Sequence, residues 1–233
     1  MRAFNIQPLD TKAMETCRYR IDNLTKPIYS LAMLETIAER FAGVLANPKP
    51  NHLKYGVLIV GADHLVDGPQ NVEHGHTSLN AIKRFNEGMS ATQGAAFKLQ
   101  APVYVVNIGL EQDTKHLANI DSRVIRNGSH FFGVEPSISY DELEQALEMG
   151  FAYADTLHEA GLQVVALGNI GERTFLDALV TTATITGASY ETLLTESDNG
   201  PTIAQRAAHI HSFVDPFDIA VDDWSVLSES DRR

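Results

Sequence analysis

The run YGVLIVGADH, residues 55–64, decides the fold class of this chain. It is short, continuous and apolar, which is typical of a strand that is buried on both faces of a parallel sheet. Two more runs of the same kind follow, PVYVVNIG at 102–109 and QVVALG at 163–168. Because segments of helical character lie between them, the sequence predicts right-handed βαβ units, and therefore an α/β fold with a mostly parallel sheet.

Helices are predicted in five segments, at 30–45, 77–99, 137–161, 172–187 and 201–214. The clearest is 137–161, where Ser139 and Glu142 have the spacing of a capping box and Gly161 stands where a helix usually ends. In the segment 77–99, Gly88 and Gly94 are candidate breaks.

The first helical segment has an apolar face at helical spacing, with Ser30 as its predicted N-cap and Gly43 and Pro48 marking its end. The residues of that face are Leu31, Leu34, Ile37, Ala38, Phe41 and Leu45. We expect one continuous domain in three parts. These are an N-terminal helical segment at 1–50, an α/β core at 51–190, and a C-terminal helix with an acidic tail at 191–233.

The charge balance excludes one broad class of partner. A formal net charge of −12, from 30 acidic and 18 basic side chains, argues against a general nucleic-acid binder. The single cysteine, Cys17, fits a reducing compartment. No window approaches about 18 uninterrupted apolar residues, and the N-terminus has no signal-peptide core. The sequence therefore predicts a cytoplasmic protein without a membrane partner.

Each strong strand ends in a short loop with polar groups, at Gly61–His64, Asn107–Gly109 and Gly168–Gly171. In an open parallel sheet, ligands bind outside the carboxyl ends of the strands. If these strands are neighbours, the three loops line a single cleft. Its polar residues are then Asp63, His64, Asn107, Asn169 and Glu172.

The turn Gly168–Gly171 is a candidate anion site, because free amides and the dipole at the start of the next helix favour a negative group. The Thr174 hydroxyl adds a donor, whereas Glu172 in the first turn repels an anion and Arg173 offsets that repulsion. The alternative is a tight turn whose glycines serve only its backbone angles. The turn from Arg126 to Ser129 has the same two interpretations, a phosphate contact or a simple chain reversal.

The pair Asp63 and His64, directly after a strand, is either an acid–base pair or two loop groups that bond to the backbone. His64 together with His74 and His76 raises a third interpretation, a metal-dependent hydrolase. Histidines two residues apart share a direction only on a strand, and no further ligand is evident. We therefore predict neither a metal nor a cofactor.

A set of short motifs occurs in a fixed order between residues 20 and 190. They are Ile21–Leu24, Lys26–Pro27, Ser30–Leu31, Leu34–Glu35, Gly61–His64, Asn107–Gly109, Arg123–Gly128, Gly133–Val134, the helix from Ser139, Gly168–Gly171 and Thr186–Gly187. This ordered set resembles the nicotinate-nucleotide:dimethylbenzimidazole phosphoribosyltransferases, which make the lower-ligand nucleotide of cobalamin. The resemblance implies a Rossmann-like three-layer domain with an N-terminal helical segment, and a homodimer.

The family reaction moves phosphoribose from nicotinate mononucleotide to a benzimidazole-type base. It needs a phosphate cradle, stabilisation of positive charge on the ribose, and a carboxylate that takes the azole proton. The predicted catalytic carboxylates are Asp63 and Glu172. The predicted ligand-binding residues are His64, Asn107, Arg126, Gly128, Gly168, Asn169, Gly171 and Thr174.

The sequence also departs from the family pattern. The family loop has an acidic residue where Asn169 stands, and a neutral amide orients a ligand but neither takes a proton nor balances positive charge. Family members continue well beyond this region and carry their general-base glutamate there. Two hypotheses stay open. One is a shortened phosphoribosyltransferase; the other is a non-catalytic nucleotide- or base-binding homologue, or a subunit that a second protein completes.

Overall fold

A computed structural model of the chain describes residues 6–51, 53–66, 77–132, 135–189 and 192–193. The chain divides into two compact units, Met1–Lys54 and Tyr55–Arg233. The predicted helix at 201–214 and the acidic tail lie outside the described residues.

The first unit contains two helices, α1 (Thr11–Asp22) and α2 (Met33–Val44). The Asp10 side chain caps α1 by accepting the Ala13 N–H at 2.9 Å. The two helices pack closely at Gly43 of α2, where a Cβ would lie 2.7 Å from the Met14 side chain. Cys17 of α1 is buried, and burial raises the pKa of its thiol.

The start of α2 differs from the prediction. Its N-cap is Ala32 and makes no side-chain bond, so the assignment of Ser30 was wrong. The physical reason is Glu35, whose Oε1 accepts the Leu31 N–H at 2.9 Å and the Lys26 ammonium at 2.8 Å. These bonds tie the preceding loop to the helix, and they hold the pKa of Glu35 below its ordinary value, the Lys26 bond first.

The predicted apolar face of α2 is also not its most buried side. Leu31 and Leu34 are 52% and 64% exposed, while Glu35 is 1% exposed. The orientation of α2 about its own axis is set by small residues, because Ala42 and Gly43 allow the close approach of α1.

The second unit holds the sheet. Within the described residues its strands are β1 (Tyr55–Ala62), β2 (Leu65–Val66), β3 (Val103–Gly109), β4 (Asp121–Ser122), β5 (Phe131–Phe132) and β6 (Val164–Ile170). One sheet has the order β4-β3-β1-β6 and is parallel throughout, while β2 and β5 form a separate parallel pair. The three predicted strong strands are therefore neighbours, with β1 between the other two, and the predicted α/β class is confirmed.

The helices of this unit are α3 (Thr77–Asn86), α4 (Ala91–Leu99), α5 (Tyr140–Glu159) and α6 (Thr174–Thr186). The predicted segment 77–99 is thus two helices. Gly88, at φ 73°, lies between them, whereas Gly94 lies inside α4. The predicted capping box of Ser139 and Glu142 is present at the start of α5.

Both faces of β1 are covered, which explains why this strand is a continuous apolar run. Successive side chains of a strand point to opposite faces. Ile59 packs in a cluster with Ile82 and Phe85 of α3, and its neighbour Leu58 packs with Leu157 of α5. With the faces occupied, the carboxyl ends of the strands are where polar groups gather.

Candidate functional site

One carboxylate connects the ends of the three central strands. Asp63 follows β1 and is 4% exposed. Its Oδ1 accepts the N–H of Glu172, beyond β6, at 2.8 Å. Its Oδ2 accepts the N–H of Glu111, beyond β3, at 2.9 Å and the hydroxyl of Ser78 in α3 at 3.1 Å. The loops that the sequence placed at one edge are therefore held together by a single side chain.

Asn107 fixes the turn at the end of β3. It is fully buried, and its Oδ1 accepts the N–H groups of Gly109 and Leu110 at 3.0 and 2.8 Å. Its Nδ2 donates to the Thr114 hydroxyl at 2.7 Å. The Asn107 side chain thus makes its hydrogen bonds to groups within the protein.

The loop after β6 is anchored in a similar way. Glu172 Oε1 accepts both the N–H and the hydroxyl of Thr77, at 2.9 and 3.1 Å, and so holds the first residue of α3. At Gly171, a Cβ would lie 1.7 Å from the Ala62 carbonyl oxygen, so only glycine allows the ends of β1 and β6 to approach this closely. We call Asp63, Asn107, Gly171 and Glu172 the strand-end frame.

A cavity of about 250 Å³ opens beside this frame, and we call it the strand-end cavity. Its size is somewhat below the roughly 300–1,000 Å³ of drug-sized sites. Isoleucines give it apolar walls, at positions 108, 125 and 138. Its polar lining includes Asp63, His64, Arg126, Ser129, Glu142 and Asp177.

His64 is held in this lining by its main chain. Its N–H donates to the Glu172 carbonyl at 3.1 Å, and its carbonyl accepts from Arg173 Nη1 at 3.1 Å. The ring Nε2 lies 4.0 Å from Asp177 Oδ2. Nδ1 is buried and has no hydrogen-bond partner within the described part of the chain.

Arg126 is the cation of the cavity lining. Its side chain is 42% exposed, and its Nη1 lies 3.8 Å from Glu142 Oε1, a loose ion pair. Glu142 is held more tightly elsewhere, since its Oε2 accepts the Ser139 N–H at 2.8 Å and lies 3.2 Å from His130 Nε2. The Ser139 bonds, with help from His130, keep the pKa of Glu142 below its ordinary value. Arg126 is therefore placed to meet an anion.

The structure gathers some of the predicted site residues and separates others. Asp63, His64, Arg126 and Gly128 belong to the cavity lining. Outside it are Asn107, Gly168, Asn169, Gly171, Glu172 and Thr174, three of which belong to the strand-end frame.

Gly168 and Asn169 are part of β6, where they pair with Ile59 and Val60. The turn therefore begins at Gly171, later than the sequence suggested. Thr174 is the first residue of α6, and its hydroxyl lies 3.5 Å from the Gly171 carbonyl.

Sequence reasoning missed three polar lining residues, Ser137, Glu142 and Asp177. Ser129, which ends the predicted turn from Arg126, also belongs to the lining. Glu142 was interpreted only as a capping residue, but its carboxylate caps α5 and the residue also lines the cavity. Asp177 lies in the first turn of α6, where an acidic residue is common for helix-dipole reasons alone.

The metal hypothesis, with His64, His74 and His76 as ligands, stays untested, because only His64 is among the described residues. Among the described residues, no three His, Cys, Asp or Glu side chains are grouped so as to hold an ion. His74 and His76 lie outside them.

Within the described residues, no helix has the length and apolar character needed to cross a membrane.

Comparisons with known proteins agree on one family. The family profile described as phosphoribosyltransferase matches residues 6–214. A nicotinate-nucleotide–dimethylbenzimidazole phosphoribosyltransferase of Chloroflexus aggregans is 33% identical over 78% of this chain and 52% of its own length. One from Chromobacterium violaceum is 34% identical over 79% of this chain and 54% of its own. The chain thus spans about half the length of these relatives.

Solved structures give the same result. CobT from Thermus thermophilus superposes with a TM-score of 0.68 and 26% identity, covering 76% of this chain and 53% of that one. A second structure, titled as the nicotinate-nucleotide–dimethylbenzimidazole enzyme of the same organism, gives a TM-score of 0.70 and 25% identity. It covers 82% of this chain and 58% of that one.

Proposed function

The chain belongs to the phosphoribosyltransferase family, and from this premise we propose that the strand-end cavity binds a nucleotide or an aromatic base. The activity that we propose is transfer of phosphoribose from nicotinate mononucleotide to a benzimidazole-type base. The observation that carries the proposal is the pairing, in one cavity at the strand ends, of isoleucine walls with the Arg126 cation. Apolar walls suit a ring, and a guanidinium suits a phosphate.

In this proposal the residues have separate roles. Arg126 binds the phosphate, and the Gly128 turn and His64 contact the ligand. Asp63 and Glu172 stay the candidates for the carboxylate that accepts the azole proton. In the reaction, a ring nitrogen of the azole attacks the ribose carbon while the bond to the pyridinium nitrogen breaks. The bonding electron pair leaves with nicotinate, and the second azole nitrogen releases its proton.

The second candidate function is a homologue that binds the nucleotide or base without turnover. It is supported by the bonds of the two candidate carboxylates. Asp63 accepts from three donors and Glu172 from two, all within the protein. The oxygens that accept these bonds are already engaged by donors of the protein itself, which leaves less room for a contact with the azole N–H.

One experiment separates the two. The purified protein is incubated with nicotinate mononucleotide and a panel of azole bases, and released nicotinate is measured by chromatography. Thermal stabilisation by the same compounds is measured in parallel, because a ligand that binds only the native state raises the melting temperature. Turnover that falls in Asp63→Asn or Glu172→Gln while the melting temperature is unchanged supports the enzyme. Stabilisation without turnover supports the binding protein, and the absence of both contradicts the proposal.

The setting of the protein is part of the same proposal. We propose that it works in the cytoplasm as a homodimer, with a second completing subunit as the alternative. The low cysteine content supports a reducing compartment, and the resemblance to the family supports the dimer. Light scattering of the purified protein gives its mass in solution, and a value equal to one chain of 25.6 kDa contradicts the homodimer.

A further inference from the structure

His130 lies between two carboxylates, next to the lining of the strand-end cavity. Its Nε2 is 3.2 Å from Glu142 Oε2, and its Nδ1 is 3.3 Å from Glu135 Oε1. Its main chain is fixed on both sides, because its N–H donates to the Ser137 carbonyl at 2.9 Å and its carbonyl accepts the Ser129 hydroxyl at 2.7 Å. Both serines belong to the cavity lining, whereas His130 itself does not. The fold therefore holds this ring close to the cavity without making it a wall.

The two oxygens of Glu142 face different partners. Oε2 accepts the Ser139 N–H at 2.8 Å and lies within hydrogen-bond distance of His130. Oε1 is 3.8 Å from Arg126 Nη1, beyond the roughly 2.7–3.2 Å of an N–H···O hydrogen bond. Carboxylates and guanidinium groups frequently form two short parallel bonds when nothing else restrains them. The contacts of Oε2 hold Glu142 back from such a pair, and the Nη1 donor of Arg126 stays available to a ligand.

The charge on His130 strengthens this hold. A neutral imidazole has one N–H and donates to one carboxylate only, whereas the protonated ring has an N–H on each nitrogen. A charged ring attracts Glu135 and Glu142 together, and it offsets part of the negative charge that Glu142 adds to the cavity. The Ser139 bonds, and after them the charge of His130, hold the pKa of Glu142 below its ordinary value.

We propose that His130 is a positioning residue for phosphate binding, an inference that rests on the proposed function. It acts through Glu142. By holding this carboxylate, it keeps Arg126 available for the phosphate of a nucleotide. When His130 loses its charge, the hold on Glu142 weakens, and the carboxylate competes with the phosphate for Arg126. The effect is on the strength of phosphate binding, and the choice of base is independent of it.

Other groups at the cavity also change charge with pH, and they determine the design of the test. His64 lines the cavity together with Asp63 and Asp177, and a phosphate ester has a second pKa of about 6. These groups are the same in the wild type and in a His130 variant. A comparison of the two proteins at the same pH therefore isolates the contribution of His130.

The first experiment measures the affinity for nicotinate mononucleotide by calorimetry at about pH 6 and about pH 8, across the range in which a histidine ordinarily changes its charge. His130→Gln keeps one amide donor but has no charge at either pH. It should bind about threefold more weakly than the wild type at the lower pH, which is the size of one partly exposed ion-pair contact. At the higher pH the two should agree within about 1.5-fold, because neither then carries the charge.

The matched control is His158→Gln, the same change on an exposed position of α5 outside the cavity lining, and it should follow the wild type at both pH values. Equal affinity of His130→Gln and the wild type at the lower pH overturns the proposal. An equal loss at both pH values also overturns it, since a merely structural role gives that result.

The second experiment assigns the effect to Glu142. Glu142→Gln retains the capping box, which accepts Gln as well as Glu at this position. At the higher pH it should bind nicotinate mononucleotide about threefold more tightly than the wild type, because the neutral amide no longer competes for Arg126. At the lower pH, adding His130→Gln to it should change the affinity by less than about 1.5-fold. A full threefold loss in this background overturns the coupling.

Glu144→Gln, on an exposed position of α5 outside the lining, is the control for the charge change and should bind as the wild type does. Thermal unfolding verifies that each variant is folded. If His130→Gln does not fold, the wild type and Glu142→Gln suffice, because equal affinity of these two at the higher pH overturns the proposal.

The outcomes distinguish this inference from the function on which it rests. Nicotinate mononucleotide that binds equally well with and without His130 contradicts the inference alone. The same holds if the azole bases bind and nicotinate mononucleotide does not. If none of these compounds binds and no nicotinate is released, both the inference and the proposed function fail.

Discussion

The strand-end frame and the lining of the strand-end cavity are neighbouring polar regions that use their side chains differently. In the frame, Asp63 and Asn107 are 4% and 0% exposed and bond to donors or acceptors within the protein at 2.7–3.1 Å. In the lining, the contacts of His64 and Arg126 to their acidic neighbours are 4.0 and 3.8 Å. The difference shows that polar residues after neighbouring strands have two uses: their hydrogen bonds decide whether they hold the loops together or stay open to the cavity.

The contrast between the frame and the cavity lining is tested most strongly at Gly171, in the frame. Gly171→Ala should destabilise the protein by about 3 kcal/mol or more, because the new Cβ meets a backbone carbonyl that cannot move aside. The expected result is loss of cooperative thermal unfolding. The control is Gly94→Ala in α4, where nothing lies within 4 Å of the added Cβ; it should stabilise by about 0.5–1 kcal/mol. A stable Gly171→Ala protein contradicts the tight frame.

Asp63→Ala should have the next largest effect. It leaves two backbone amides and a hydroxyl without their acceptor, and we expect a loss of about 3 kcal/mol in the free energy of unfolding. Ser78→Ala removes one donor and leaves the carboxylate with the amides, so it should lose about 1 kcal/mol. Urea denaturation measures both. If the Asp63 variant loses no more than the Ser78 variant, Asp63 does not hold the strand ends together.

Arg126→Ala tests the other half of the contrast, namely that a residue of the cavity lining affects binding more than stability. Its affinity for nicotinate mononucleotide should fall about tenfold, which is about 1.4 kcal/mol, because one charged contact is lost. The free energy of unfolding should change by less than about 0.5 kcal/mol, since the ion pair of Arg126 is long and exposed. Arg123→Ala, whose side chain is 63% exposed outside the lining, is the control for both measurements. A large loss of stability with unchanged affinity would show that Arg126 has a structural role, like the frame residues, and does not bind the ligand.

The smallest expected effect is that of Glu142, which lines the cavity but is held by a short bond, as the frame residues are. Its pKa is held below its ordinary value of about 4.3 by the Ser139 bonds, so the stabilisation is complete above that value and is lost as the pH falls through the lowered pKa. Urea midpoints at about pH 6 and pH 3 should therefore differ more for the wild type than for Glu142→Gln. Glu144→Gln, on an exposed position of α5, should follow the wild type. Equal acid sensitivity of all three proteins contradicts the role of Glu142.

The fold followed from the sequence because burial on both faces leaves a plain signal. A strand such as β1 has no solvent side, so its apolar run is continuous and hard to mistake. The helical unit was predicted less well. The orientation of α2 about its axis depends on the close approach at Gly43 and on the Lys26–Glu35 bond. Both are contacts between segments of the chain, so neither can be recognised within a single segment.

The position of the cavity at the strand ends was predictable from the sequence, but much of its lining was not. Asp63 and His64 are adjacent, and both follow β1, yet the carboxylate of one is taken up by the frame while the ring of the other meets Asp177. That division depends on loops that arrive from distant parts of the chain. Asp177 itself carries no signal in the sequence beyond that of an ordinary helix start.

The bond from Asp63 to Glu172 also bears on how the protein is made. It joins groups 109 residues apart, and loops of that length close late because their entropy is lost before any contact compensates for it. During synthesis, β1 and β3 can pair well before β6 has left the ribosome. The lining of the strand-end cavity includes Asp177, which follows β6 in the chain, so the cavity is complete only after this strand has been made.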